Sequence, residues 1–266
     1  MENLRKVMAM AIVMLFLYAC STVPLTGRKQ LSLISDDQVN QSAAQSYTQL
    51  LSDPKTTVIK NTSDAERVKR VGAQLAAAIE RYLQQTGYGN RYQFKWEFNL
   101  IKSNEVNAWC MPGGKVAVYS GIMPITKDDA SLATVMGHEI GHAIARHSAE
   151  RISQQLAVQA GGGIAGVATS GQSSATQAIV SQLYGVGGNL ALLKYSRSQE
   201  SEADRLGLTF MAMAGYDPHN AIAFWQRMAA LGKNGTPEFL STHPTDQTRI
   251  NDIEAHMSEA MRYYKK

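Results

Sequence analysis

The chain has 266 residues, 44% hydrophobic and 18% charged, with a formal net charge of +4. That length and apolar content fit one core-forming domain with short additions. The mild basic excess is spread out, with no basic run beyond Lys265-Lys266, which argues for solubility and against a nucleic-acid footprint.

Arg5-Lys6 precedes an apolar run from Val7 to Ala19 that stops at Cys20-Ser21. A charged start and an apolar stretch too short to span a membrane make residues 1–19 a secretory signal. Leu17-Tyr18-Ala19-Cys20 is similar to a bacterial lipoprotein signal cut before Cys20, which then carries the lipid. A plain secretory signal or a short N-terminal anchor is the alternative, and every version places the body outside the cytoplasm. Ser21 lacks the acid that retains many lipoproteins in the inner membrane, so a periplasm-facing lipoprotein of the outer membrane is expected. The other cysteine, Cys110, then has no intramolecular disulfide partner.

Residues 20–34, with Pro24 and Gly27, read as an extended tether, and residues 35–266 as one domain. Ser35-Asp36-Asp37-Gln38 is a capping box opening a helix to about Leu51, which Asp53-Pro54 ends. Ser63-Asp64-Ala65-Glu66 opens a second helix, with Val68, Val71, Leu75, Ile79 and Tyr82 at helical spacing, closing near Gly87. Tyr92, Phe94, Trp96, Phe98 and Leu100 then alternate with polar neighbours and predict a strand. A second strand from about Glu105 to Met111, a Pro112-Gly113-Gly114 turn and a third strand from Lys115 to Ile122 complete a small antiparallel sheet. Asn107-Ala108-Trp109 is the candidate edge for holding a substrate backbone by strand addition; pairing within the sheet alone is the equal alternative.

Thr126-Lys127-Asp128-Asp129 starts the next helix, and Leu132, Val135, Met136, Ile140, Ala143 and Ile144 recur at helical spacing. This helix carries His138-Glu139-Ile140-Gly141-His142. The two histidines, four residues apart, share a face, so both imidazoles can reach one metal ion, with Glu139 beside them as base for an attacking water. A catalytic zinc needs a third ligand. The nearby pattern that supplies a third histidine has Gly at position 145 and His at 148; this chain has Ala145 and Ser148, so the third ligand comes from elsewhere.

Residues 150–193 are rich in Gly, Ser, Gln and Ala, and read as either a lid over the cleft or a spacer. In the segment from Tyr195 to Gly207, Glu200 and Asp204 share a helix face, while Glu202 lies about 200° round from Glu200. A carboxylate from a separate helix is the usual third ligand in zinc enzymes that lack a third nearby histidine, and Asp204 can then hold the free ring N–H of a ligating histidine. The alternative is a solvated acidic face paired with Arg197 or Arg205. Asp217-Pro218 opens a helix carrying Trp225 and Met228, and the last helix holds Ile250, Ile253, Met257 and Ala260. His243-Pro244 precedes that last helix and Arg249 lies in its first turns; His147, His219 and His256 read as surface or packing residues.

Asn107-Ala108 with Pro112-Gly113-Gly114, the His138-to-His142 motif, Glu200-x-x-x-Asp204, and His243-Pro244 with Arg249 occur here in one order. Together they resemble the membrane-associated gluzincin metallopeptidases of the CAAX prenyl protease and heat-shock protease type, numbered forty-eight among metallopeptidase families. The resemblance runs from about Ser35 to His256. It implies an α+β, mostly helical, zincin-like single domain with the small sheet next to the metal helix. It implies one Zn2+ per chain on His138, His142 and Glu200, choosing Glu200 over Glu202. It further implies Glu139 as the catalytic residue, Asp204 as an active-site acid, and His243 and Arg249 as groups that close the site or steady the oxyanion. The expected function is a zinc metalloendopeptidase hydrolysing cell-envelope proteins in quality control, with polypeptide substrates, membrane attachment through Cys20 and no nucleic-acid partner. A non-proteolytic zinc-containing assembly factor or chaperone is the alternative. Against it stands the base beside the histidines, which a structural zinc site closed by four ligands does not need.

Overall fold

The computed structural model describes residues 20–159, 182, 195–231, 238–243 and 247–265. Residues 1–19, where the sequence predicts a signal, most of the 150–193 segment and Pro244 lie outside the described residues. In chain order the first half comprises β1 (Cys20–Thr22), β2 (Lys29–Leu31), α1 (Asp36–Ser52), β3 (Val58–Ile59), α2 (Ser63–Gln85), β4 (Glu97–Ile101), β5 (Ala108–Met111) and β6 (Lys115–Tyr119). A 3-10 turn (Ser120–Ile122) leads into α3 (Met123–Thr126), α4 (Asp129–Ile144) and α5 (His147–Gln159). After the undescribed stretch come α6 (Arg197–Met213), α7 (Asn220–Leu231), α8 (Glu238–Thr242) and α9 (Gln247–Met261). The class is α+β and mostly helical, as the sequence implies.

Helix starts follow local side-chain chemistry. Ser35 accepts from the Gln38 N–H, Asp128 from that of Ser131, and Ser196 forms a full capping box with Gln199. The cap of α2 is Thr62 rather than Ser63: its extended backbone lets the hydroxyl accept from the Ala65 N–H.

The four-stranded sheet has the order β3-β4-β6-β5, and β6 runs parallel to β4. The β5–β6 hairpin is antiparallel, as the Pro112-Gly113-Gly114 turn predicts, with Gly113 and Gly114 at φ +78° and +85°. What alternation does not reveal is that β6 inserts between β4 and β5. The reason is two-sided burial: Val116 and Val118 join the main core, while Ala117, Trp109 and Met111 pack with α1 and α5. The predicted Tyr92–Leu100 strand is regular only from Glu97. Upstream, Tyr92, Phe94, Trp96 and Phe98 stack in sequence, with centroids 5.8, 4.4 and 5.9 Å apart. Gly72 of α2 makes room for the last ring, since a Cβ there would lie 2.3 Å from Phe98.

Helix α4 runs through the middle of the main core. Leu132, Val135, Met136, Ile140 and Ile144 are each 0% exposed, and burying such a side chain contributes about 1.5–3 kcal/mol. It meets α6 through small residues. A Cβ on Gly141 would lie 2.8 Å from the Ala203 carbonyl oxygen, and one on Gly207 2.8 Å from the His138 nitrogen. That backbone-to-backbone approach sets the acidic face of α6 against the two histidines.

Residues 20–34 are not a free tether. β1 and β2 form a hairpin whose Val23 is fully buried and whose Gln30 is nearly so. Arg146 donates to the Ser21 and Ser32 hydroxyls and the Leu33 N–H donates to Ser153, fastening this segment to α5 and the end of α4. Among the described residues, no helix is long and apolar enough to cross a membrane.

Candidate metal centre

His138 and His142 project from one face of α4, with their Nε2 atoms 3.1 Å apart. Glu200, from α6, places Oε2 3.4 Å from His138 Nε2 and Oε1 3.5 Å from His142 Nε2. His243, just after α8, brings Nδ1 to 2.9 Å from Glu200 Oε1 and 3.2 Å from His138 Nε2. One donor atom from each of these four residues lies within 4.8 Å of the others, and all four residues are buried. Ligands about 2.0–2.1 Å from a tetrahedral zinc lie about 3.3 Å from each other, close to the separations here. Glu139 Oε1 is buried without a hydrogen-bond partner, an arrangement that costs energy unless a cation or ligand is there. The donor set therefore fits a zinc ion.

Glu139 points to the same place, with Oε1 3.6 Å from His243 Nε2. Burial pushes its carboxyl up to about 7. Asp204 Oδ1 lies 2.8 Å from His138 Nδ1. Arg249 grips the same carboxylate with both sides of its fork, Nε at 2.7 Å and Nη2 at 2.8 Å. Burial works against the Asp204 charge, but Arg249 and His138 hold it below the usual carboxylate range. Arg249 also lies 3.6 Å from the centroid of the Trp225 ring and 3.3 Å, through Nη1, from Glu200 Oε2.

The structure thus brings His138, Glu139, His142, Glu200, Asp204, His243 and Arg249 together. Asn107 sits just before, and Ala108 at, the start of β5, the outer strand, which packs along α4. The Asn107 carbonyl accepts from the Tyr119 N–H, so the register turns the backbone groups of Ala108 and Cys110 to the open edge. Asn107 Oδ1 already takes the Ala108 N–H. Cys20 opens β1 opposite Leu31.

His147, which reads from the sequence as a surface or packing residue, is buried against His142. It is 0% exposed, with Nδ1 2.8 Å from His142 Nδ1 and Nε2 2.9 Å from Glu202 Oε2. On one continuous helix a fifth residue would lie about 140° round from His142. The helix instead breaks: Arg146 takes φ +57° and turns the chain so that His147 comes back beside His142. Burial pushes the His147 ring below its ordinary pKa despite the Glu202 charge. For Glu202, burial opposes the charge, but hydrogen bonds from His147, Thr26 and Arg28 bring it down to about 2. Tyr195 stacks on His142, centroids 3.9 Å apart.

A helix bearing His-Glu-x-x-His, completed by a carboxylate from a second helix, defines a metallopeptidase-type centre. The chain belongs to peptidase family M48, whose model matches residues 63–257. Mitochondrial metalloendopeptidase OMA1 of Schizosaccharomyces pombe is 32% identical over 240 residues, covering 90% of this chain and 66% of that protein. The protein of that name from Arabidopsis thaliana is 37% identical over 175 residues, 64% of this chain and 34% of its own length. Beta-barrel assembly-enhancing protease of Escherichia coli is 28% identical over 173 residues, 62% of this chain and 35% of its own. The chain spans less than two thirds of the length of each of these curated relatives.

Proposed function

We propose that this chain is a zinc-dependent endopeptidase cutting polypeptides of the bacterial cell envelope, in quality control, and held on the periplasmic side of the outer membrane by a lipid on Cys20. The observation that carries the peptidase reading is the convergence of His138, His142, Glu200 and His243 beside the buried Glu139. The signal-like N-terminus and the similarity to the beta-barrel assembly-enhancing protease of Escherichia coli support the envelope setting.

His138, His142 and Glu200 would hold the zinc, which would supply Lewis-acid chemistry toward water and the scissile carbonyl. Asp204 accepts the Nδ1–H of His138, leaving its Nε2 lone pair free, and Arg249 fixes Asp204. Glu139 takes a proton from the attacking water and returns it to the leaving amine. His243, whose Nδ1 lies 2.9 Å from Glu200 Oε1, would close the site at rest, and its ring, moved aside by substrate, would steady the charge that develops on the carbonyl oxygen. The substrate lies along β5, meeting the Ala108 carbonyl and the Cys110 N–H.

Cleavage of an unfolded polypeptide by the wild type and Glu139→Gln, with zinc content measured on both, tests this reading. The variant is expected to hold one zinc per chain while turnover falls at least about 10²-fold. Equal turnover would remove Glu139 from the mechanism, and a wild type that binds zinc but cleaves nothing would favour an assembly factor or chaperone.

A further inference from the structure

His138 and His142 are served differently. His138 meets its carboxylate directly, through Asp204. Among the described residues, the Nδ1 of His142 meets no carboxylate; it faces the Nδ1 of His147 at 2.8 Å. His147 Nε2 in turn lies 2.9 Å from Glu202 Oε2, and Arg28 Nε donates to that same oxygen at 2.6 Å. Arg28 belongs to the loop of the β1–β2 hairpin, and its two Nη atoms are each 2.9 Å from a Glu150 oxygen. Thr26, from the same loop, donates to the other Glu202 oxygen.

Hydrogen-bond roles fix the direction of this chain. An ionised Glu202 only accepts, so the proton on His147 sits at Nε2. The neutral His147 ring then has a bare Nδ1, which must accept from His142 Nδ1–H. His142 is left with its lone pair on Nε2, the atom facing His138 and Glu200. No other neutral tautomer of either ring satisfies both contacts.

We propose that Arg28, Glu202 and His147 are positioning residues that fix the tautomer and ring direction of His142, so that the N-terminal hairpin is a working part of the metal centre. The inference rests on His142 being a metal ligand. Glu202 then does for His142, through one intervening imidazole, what Asp204 does directly for His138. Losing a partner that orients a metal-bound histidine typically costs about 10–100-fold in metal affinity.

The test is zinc affinity by chelator competition on the full chain, with melting temperatures of the metal-free and zinc-loaded forms. Glu202→Gln, His147→Asn and Arg28→Met are compared with Glu259→Gln, which breaks the Arg205–Glu259 ion pair on another face of α6. Glu202→Gln and His147→Asn are expected to weaken zinc about 10–100-fold, with metal-free melting close to that of the control. Arg28 is partly exposed, so its variant is the one expected to disturb folding least; it is expected to weaken zinc, and to add nothing further when combined with His147→Asn. Wild-type affinity in Glu202→Gln and Arg28→Met would overturn the proposal. So would strictly additive Arg28 and His147 effects, or equal losses of melting temperature in the metal-free and loaded forms. A wild type that takes up no zinc would overturn the ligand assignment of His142 itself, and the inference with it.

Discussion

Asp204 is buried at 3% exposure between an imidazole and a guanidinium, so its charge is held rather than solvated. Asp204→Asn keeps the shape and removes the charge. Its amide also has a donor that can turn against Arg249 or flip the His138 tautomer. Zinc affinity by chelator competition is expected to fall about 10–100-fold, whereas unchanged affinity would show that His138 needs no such partner. Residues of this kind were legible in the sequence where the helix period alone defined their neighbours: His138 with His142, and Glu200 with Asp204. His147 was not, because its position depends on the left-handed turn at Arg146, a conformation that no residue preference at an arginine announces. Arg28 was hidden for a related reason: Pro24 and Gly27 look like linker composition, while the burial of Val23 that pins the loop is a long-range contact.

At the scale of elements, the distance between α4 and α6 decides whether ligands from two helices can share one ion. Gly141 and Gly207 set that distance, since side chains there would press on Ala203 and His138 backbone atoms. Gly207→Ala is expected to lower stability by about 1–3 kcal/mol through overpacking. Zinc affinity falls with it, as α6 moves Glu200 away from α4. Thermal melting and chelator competition on the variant check this; a stable variant with native affinity would mean that the pair tolerates wider spacing. These glycines are visible in the sequence, but their packing role needs the partner helix. The parallel β4–β6 pairing was illegible for a similar reason: alternation shows which face of a strand is apolar and not which strand lies beside it.

Across the whole molecule, the centre joins parts far apart in the chain. Two imidazoles come from α4, a carboxylate from α6, a third imidazole from the segment between α8 and α9, and the arginine behind them from α9. The apolar core keeps these elements in register, and the N-terminal hairpin closes the far side of His142. Anomalous diffraction at the zinc absorption edge, on crystals of the full chain purified without chelator, tests the central claim directly. The account predicts one zinc about 2.0–2.2 Å from His138 Nε2, His142 Nε2 and a Glu200 oxygen. Zinc bound elsewhere, or bound by the two imidazoles with Glu200 turned away, would contradict it.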